Sequence, residues 1–185
     1  MIWGGDVRVD APARRADLLF DVLSLPADGL AARECPVILA VDGVSRLIAS
    51  LRDGWWDNAQ AQAVPVSLTD LDAAVRSFGG CPVYGYEFVD PPEESCAHWR
   101  DRLSIDARFA QELSHHVLDL FQEDGGAEPR HLDLRIWFSR ICISTPDGRR
   151  IPLSEFVAAG VRWWDGLHSD DPRVGGKGIF PLRDD

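Results

Sequence analysis

The stretch from Pro36 to Gly54 constrains this chain more than any other. Val37, Ile38, Leu39, Ala40 and Val41 form an unbroken apolar run, long enough for a strand covered on both faces and far too short to span a bilayer. Asp42-Gly43 then turns the chain. Val44, Leu47, Ile48 and Leu51 recur at i, i+3, i+4 and i+7, the stripe of an amphipathic helix that Gly54 ends. A strand, a tight turn and a helix over 44–53 are therefore expected.

The same grammar repeats further on. Val64 to Leu68 reads as a strand that Pro65 pushes to a sheet edge, and Thr69 with Asp72 offers a capping-box start. Leu71, Ala74, Val75 and Phe78 give a helical stripe over 70–78 that Gly79 and Gly80 stop. Val83 to Val89 reads as a strand, with Tyr84, Tyr86 and Phe88 alternating. Asp90, Pro91, Pro92, Glu93 and Glu94 form a polar connector. Beyond it, Phe109, Leu113, Val117, Leu120 and Phe121 fall at helical spacing, predicting a helix over 108–122. His131 to Ser144 alternates, with Leu132, Leu134, Ile136 and Phe138 on one face. Pro146-Asp147-Gly148 turns this strand into a hairpin with Arg149 to Leu153. Ser154 is placed to cap a last helix over 155–167, and Ser169 to Asp185 shows no periodicity.

These elements predict an α+β (mixed α/β) fold: a single layer-type domain over 1–185 with short strands, about four helices and a C-terminal hairpin-helix unit. If the chain divides, it does so into an α/β half, 1–90, and a hairpin plus helix half, 91–185. Asp42-Gly43 leads to Trp55-Trp56-Asp57 just as Asp147-Gly148 leads to Trp163-Trp164-Asp165. A duplication would place two similar units about a pseudo-twofold axis.

Charge narrows the function. Nineteen basic residues stand against thirty acidic ones, a net of −11. The excess is spread evenly: 1–90 carries 7 basic and 13 acidic residues, net −6, and the remainder 12 and 17, net −5. Such a field repels phosphate backbones, so a nucleic-acid partner is unlikely on charge alone. Asp6, Arg8 and Asp10 break any apolar leader at the N-terminus, which predicts a cytoplasmic protein with no membrane association. The bias toward Arg, with Lys177 the single lysine, points to a GC-rich bacterial source. Cys35, Cys81, Cys96 and Cys142 form no CxxC pair, so buried free thiols are expected and neither a metal nor a cofactor.

Three groups of residues could carry function. Consecutive helical residues point about 100° apart, so one of Trp163 and Trp164 lies at a boundary, and the Trp55-Trp56 pair carries the same signal. That makes Trp55, Trp56, Asp57, Trp163, Trp164 and Asp165 candidates for an aromatic contact with acidic flanks. Asp170, Asp171, Arg173 and Lys177 lie in a glycine-containing segment that resembles an anion cradle in composition but lacks the P-loop spacing. Glu112, His115 and Asp119 would share a face of the third helix, Cys96 and His98 are near neighbours, and Arg135, Arg140, Arg149 and Arg150 gather near the hairpin. No serine-hydrolase, dinucleotide or Walker pattern is present, so whether the chain is an enzyme stays open.

Two functions follow. The first is a small acidic binding protein of the immunity or antitoxin kind that masks a basic protein partner. The second is an enzyme or binder of a small anionic ligand, its pocket closed by the glycine-containing C-terminal segment. A homo-oligomer joined through the boundary tryptophans is a third possibility.

Overall fold

The computed structural model describes residues 2–55, 57–78, 83–89, 100–124 and 128–174, with the backbone alone described for 2–5 and 83–89. Among these residues the chain forms eleven strands in two antiparallel sheets, two α-helices and a short 3-10 turn at Arg100–Arg102. The expectation of about four helices and short strands is thereby corrected. The strands are β1 (Ile2–Asp10), β2 (Arg15–Ser24), β3 (Arg33–Asp42), β4 (Arg46–Asp53), β5 (Gln62–Ala63), β6 (Val83–Val89), β7 (Ile105–Arg108), β8 (His116–Asp124), β9 (Arg130–Phe138), β10 (Arg140–Ser144) and β11 (Arg150–Ile151). The helices are α1 (Leu71–Arg76) and α2 (Leu153–His168).

The first sheet runs β1-β2-β3-β10-β11 and the second β5-β4-β9-β8-β6, with β7 also paired to β4. Each sheet draws strands from both sides of residue 90. One ribbon links them. β3 pairs with β10 in the first sheet, and their continuations β4 and β9 pair in the second. Asp42 faces Arg140 and Arg46 faces Trp137, so three residues of one strand oppose two of the other, a bulge that bends the ribbon from sheet to sheet. Gly43 sits at this corner with φ +66°, and a Cβ there would meet Ser139 Oγ at 2.8 Å. Only glycine satisfies both conditions. The freed Gly43 carbonyl accepts from Ser114 Oγ at 2.8 Å, and Arg14 Nε donates to the Val44 carbonyl at 3.0 Å.

The sheets share one apolar core. Leu18, Phe20, Leu39 and Val41 enter it from the first sheet, and Leu47, Leu120, Leu134 and Ile136 from the second. Leu71, Val75 and Phe78, on and beside α1, complete it, and α1 is tied to β1 where the Val7 N–H donates to Asp72 Oδ1 at 2.9 Å.

Two predicted helices are strands, for one reason. On the outer face of the second sheet, Ile48, Val117 and Trp137 form a second buried cluster with Leu103 against it. A strand apolar toward both sides loses its period of two. In β4, Leu47, Ala49 and Leu51 face the core while Ile48, Ser50 and Arg52 are buried on the other side. That run mimicked a helical stripe over 44–53. The same masking in β8, where Val117 faces outward and Leu118 and Leu120 inward, turned 108–122 into an apparent helix. Val64 to Leu68 is not a strand; the neighbouring strand is the two-residue β5. The long alternating run over 131–144 is two strands, β9 and β10, separated by the corner at Ser139. The duplication loses its basis, since Asp42-Gly43 leads into a strand and Asp147-Gly148 into a short hairpin and a helix.

Candidate functional site

The second sheet ends in a shaped loop. β4 stops at Asp53, and Gly54 takes φ +149° with its would-be Cβ 3.0 Å from both Ala61 Cβ and Asn58 Nδ2. The chain then curls: the Asn58 N–H donates to the Trp55 carbonyl at 3.0 Å, and the Ala61 N–H donates to the Asn58 carbonyl at 3.1 Å. The Gln60 N–H donates to Asn58 Oδ1 at 2.9 Å, and Arg102 Nη1 reaches the Asn58 carbonyl at 3.3 Å. Ala61 is buried beneath the turn. What this turn holds outward is Trp55, 45% exposed, with Val64 also exposed and the carboxylates of Asp53 and Asp57 in solvent. Trp56 lies outside the described residues.

The other tryptophan pair lies on α2, which packs on β2 and β10 of the first sheet. The helical repeat separates the two rings. Trp163 is 3% exposed and packs with Leu25 and Val174, whereas Trp164 is 48% exposed. The rings meet edge to face at 5.0 Å between centroids, and His168 lies 6.0 Å from the Trp164 ring, its Nδ1 donating to the Trp164 carbonyl at 2.8 Å. Asp165 and Asp170 are exposed. Asp171 is not available in the same way: Arg173 Nη2 sits 2.6 Å from its Oδ2, and the Arg173 N–H donates to its Oδ1 at 2.9 Å. The Arg173 side chain, then its backbone N–H, holds the Asp171 carboxyl below the ordinary carboxylate range. This pair fixes a turn that seats Val174 against Gly166 and links the Arg173 carbonyl to the Ala32 N–H at 2.9 Å. The charge of Arg173 is therefore met by Asp171, and Lys177 lies outside the described residues.

The structure thus separates the predicted site residues. Trp55 and Asp57 belong to a loop of the second sheet, Trp164 and Asp165 to the helix on the first, and Asp170 to the turn that follows that helix. Glu112, His115 and Asp119 do not share a helix face: Glu112 and His115 lie in the segment before β8, and Asp119 lies within it, paired to Arg135. The four hairpin arginines divide likewise, Arg135 being buried in β9 while Arg140, Arg149 and Arg150 are exposed. Cys96 and His98 lie outside the described residues. Cys35 and Cys142 are free, but half-buried.

A group that sequence reasoning missed lies on the outer face of the second sheet. Cross-strand register sets Arg52 beside His131 and Glu123, and Arg135 beside Asp119. Arg52, 1% exposed, is ion-paired with Asp133, whose other oxygen stands 3.1 Å from His131 Nε2. Arg135, 3% exposed, donates from Nε to Asp119 Oδ1 at 2.6 Å. Phe121 stacks over His131 at 6.1 Å, and the Arg46 and Arg135 guanidiniums flank the Trp137 ring at 5.3 and 5.7 Å. Burial lowers the Arg52 pKa, opposed by the Asp133 charge. A chain of acid, imidazole and guanidinium has the parts of acid and base chemistry, but its imidazole and guanidiniums, His131, Arg52 and Arg135, are closed to solvent. Its evident work is to brace β4 to β9 just below the Trp55 loop. No cluster of three metal-binding side chains occurs among the described residues.

Comparison with family profiles, with characterised proteins and with solved structures found no significant match to this chain. No helix among the described residues is long and apolar enough to cross a membrane.

Proposed function

We propose that the chain is a small acidic cytoplasmic binding protein that masks a basic protein partner, in the manner of an immunity protein or antitoxin, and that the Trp55 loop is its contact surface. The observation that carries this reading is a half-exposed Trp55 held by a hydrogen-bonded turn and flanked by Asp53 and Asp57. A tryptophan presented without freedom to collapse loses little entropy on contact, and such anchors dominate protein interfaces. The net charge of −11 supplies long-range attraction for a basic surface and disfavours nucleic acid.

Capture from the source cell compares the wild-type chain with Trp55→Ala and with the Asp53→Asn, Asp57→Asn double variant. A basic protein retained by the wild type is expected. Trp55→Ala should weaken it by about 2 kcal/mol or more, and the double variant should slow association and flatten its salt dependence. Absence of a basic partner, or its full retention by Trp55→Ala, overturns the reading.

A further inference from the structure

α2 carries an apolar face that packs against nothing among the described residues. Leu153, Val157, Val161 and Trp164 are all about half exposed. At 100° per residue they form one stripe, about 17 Å long at 1.5 Å per residue. The opposite side of the helix supplies Trp163 and Gly166 to the interior. Gly160 borders the stripe in helical conformation, and nothing lies within 4 Å of where its Cβ would stand. Glycine in a helix interior costs about 1 kcal/mol relative to alanine, and no contact within the described chain explains it here. It leaves that border of the helix bare enough for close approach of another helix.

The two ends of the stripe differ in charge. Arg149 and Arg150 are exposed just before the first turn, and Asp165 and Asp170 are exposed at the last. None of the four is in an ion pair among the described residues. Asp147, near the basic end, already accepts from the Thr145 hydroxyl, and Glu155 points away from the stripe.

We propose that two copies of this chain pair through the exposed face of α2, antiparallel about a twofold axis that crosses the stripe midway between Val157 and Val161, so that the Arg150 side chain of each copy reaches Asp165 of the other. The stripe is centred at the level of residues 158 and 159, and reversal about the level of 159 sets Val157 against Val161 and brings the Arg150 end against the Asp165 end, with Arg150 about 4.5 Å along the axis from Asp165, within reach of its side chain. Antiparallel helix dipoles favour the same arrangement. One helix face is a small contact for a dimer, so affinity falls in the range of about 1–100 µM. This pairing uses a different surface from the Trp55 loop and does not rest on the function proposed for it.

Sedimentation velocity of the full chain from about 1 to 500 µM spans that range. A concentration-dependent dimer is expected, with Val161→Glu shifting it toward monomer at least about tenfold while the circular dichroism stays unchanged. Arg150→Asp or Asp165→Arg alone should weaken it roughly three- to tenfold, and the Arg150→Asp, Asp165→Arg double variant should return it to near the wild-type value. A wild-type chain monomeric throughout, or a dimer indifferent to Val161→Glu, overturns the pairing. A double variant that dimerises no better than either single one overturns the antiparallel register.

Discussion

Trp55-Trp56-Asp57 and Trp163-Trp164-Asp165 are the same three residues in two settings. The first follows a strand, where a glycine with positive φ and an asparagine turn hold one ring in solvent. The second lies in a helix, where the 100° step sends Trp163 into an apolar cluster and leaves Trp164 outside. The loop is braced by charge, through Arg52 and Asp133 at the end of β4 and Arg102 on Asn58. The helix is braced by apolar burial. Tryptophan in a motif therefore says little about availability; the element beneath it decides which ring is structural and which can meet another molecule.

Substitution of the rings separates them most strongly. Trp163→Ala should destabilise the fold by about 3–5 kcal/mol in urea unfolding, whereas Trp55→Ala and Trp164→Ala should each cost less than about 1. Equal losses for Trp55 and Trp163 would break the distinction. Trp163→Phe sharpens it: the buried Trp163 Nε1 has no partner among the described residues, so the phenylalanine variant should lose much less than the alanine one. Next in size is the charged brace. Asp133→Ala leaves the Arg52 guanidinium buried beside fewer acceptors and should cost about 3 kcal/mol, with hydrogen exchange rising at the end of β4 and in the Trp55 turn while α2 holds.

A smaller effect of opposite sign is expected at Gly160. Gly160→Ala should raise stability by about 0.5–1 kcal/mol, read from the unfolding midpoint, because the helical site has open space for a methyl group. The smallest effect is acid loosening of the turn over Trp163. Asp171 is held below its ordinary 3.8 by Arg173, so its contribution is complete above that value and is lost as pH falls through the lower folded value. Trp163 fluorescence should therefore respond only below the ordinary carboxylate range. Asp171→Asn should remove that response without altering the Trp55 loop.

The mixed α/β fold with about four helices was not what formed, yet single elements could be read where one cue dominated. The Pro146-Asp147-Gly148 turn, the presence of a last helix and the apolar run of β3 each had a single local cause. β2 carries a plain cue too, since Ala16, Leu18, Phe20 and Val22 alternate and all four are buried. β4 and β8 failed because covering both faces of the second sheet erases the alternation that marks a strand. The brace failed for a different reason. His131, Asp133 and Arg135 alternate with Leu132, Leu134 and Ile136 like any solvated face, and the partner Arg52 lies 81 residues from Asp133. Only the cross-strand register brings them together. Trp55, Asp57, Trp164 and Asp165 were named from sequence, but their division between two surfaces was not visible there.

The division of labour between the two segments is tested most directly by 19F NMR of the chain labelled with 5-fluorotryptophan, its seven tryptophans assigned through Trp→Phe variants. Dilution should shift the Trp164 signal and leave Trp55 in place, addition of the captured basic partner should shift Trp55 and leave Trp164 in place, and Trp163 should stay protected from a soluble paramagnetic agent throughout. A single ring answering to both, or a Trp163 signal as accessible as that of Trp55, would contradict it.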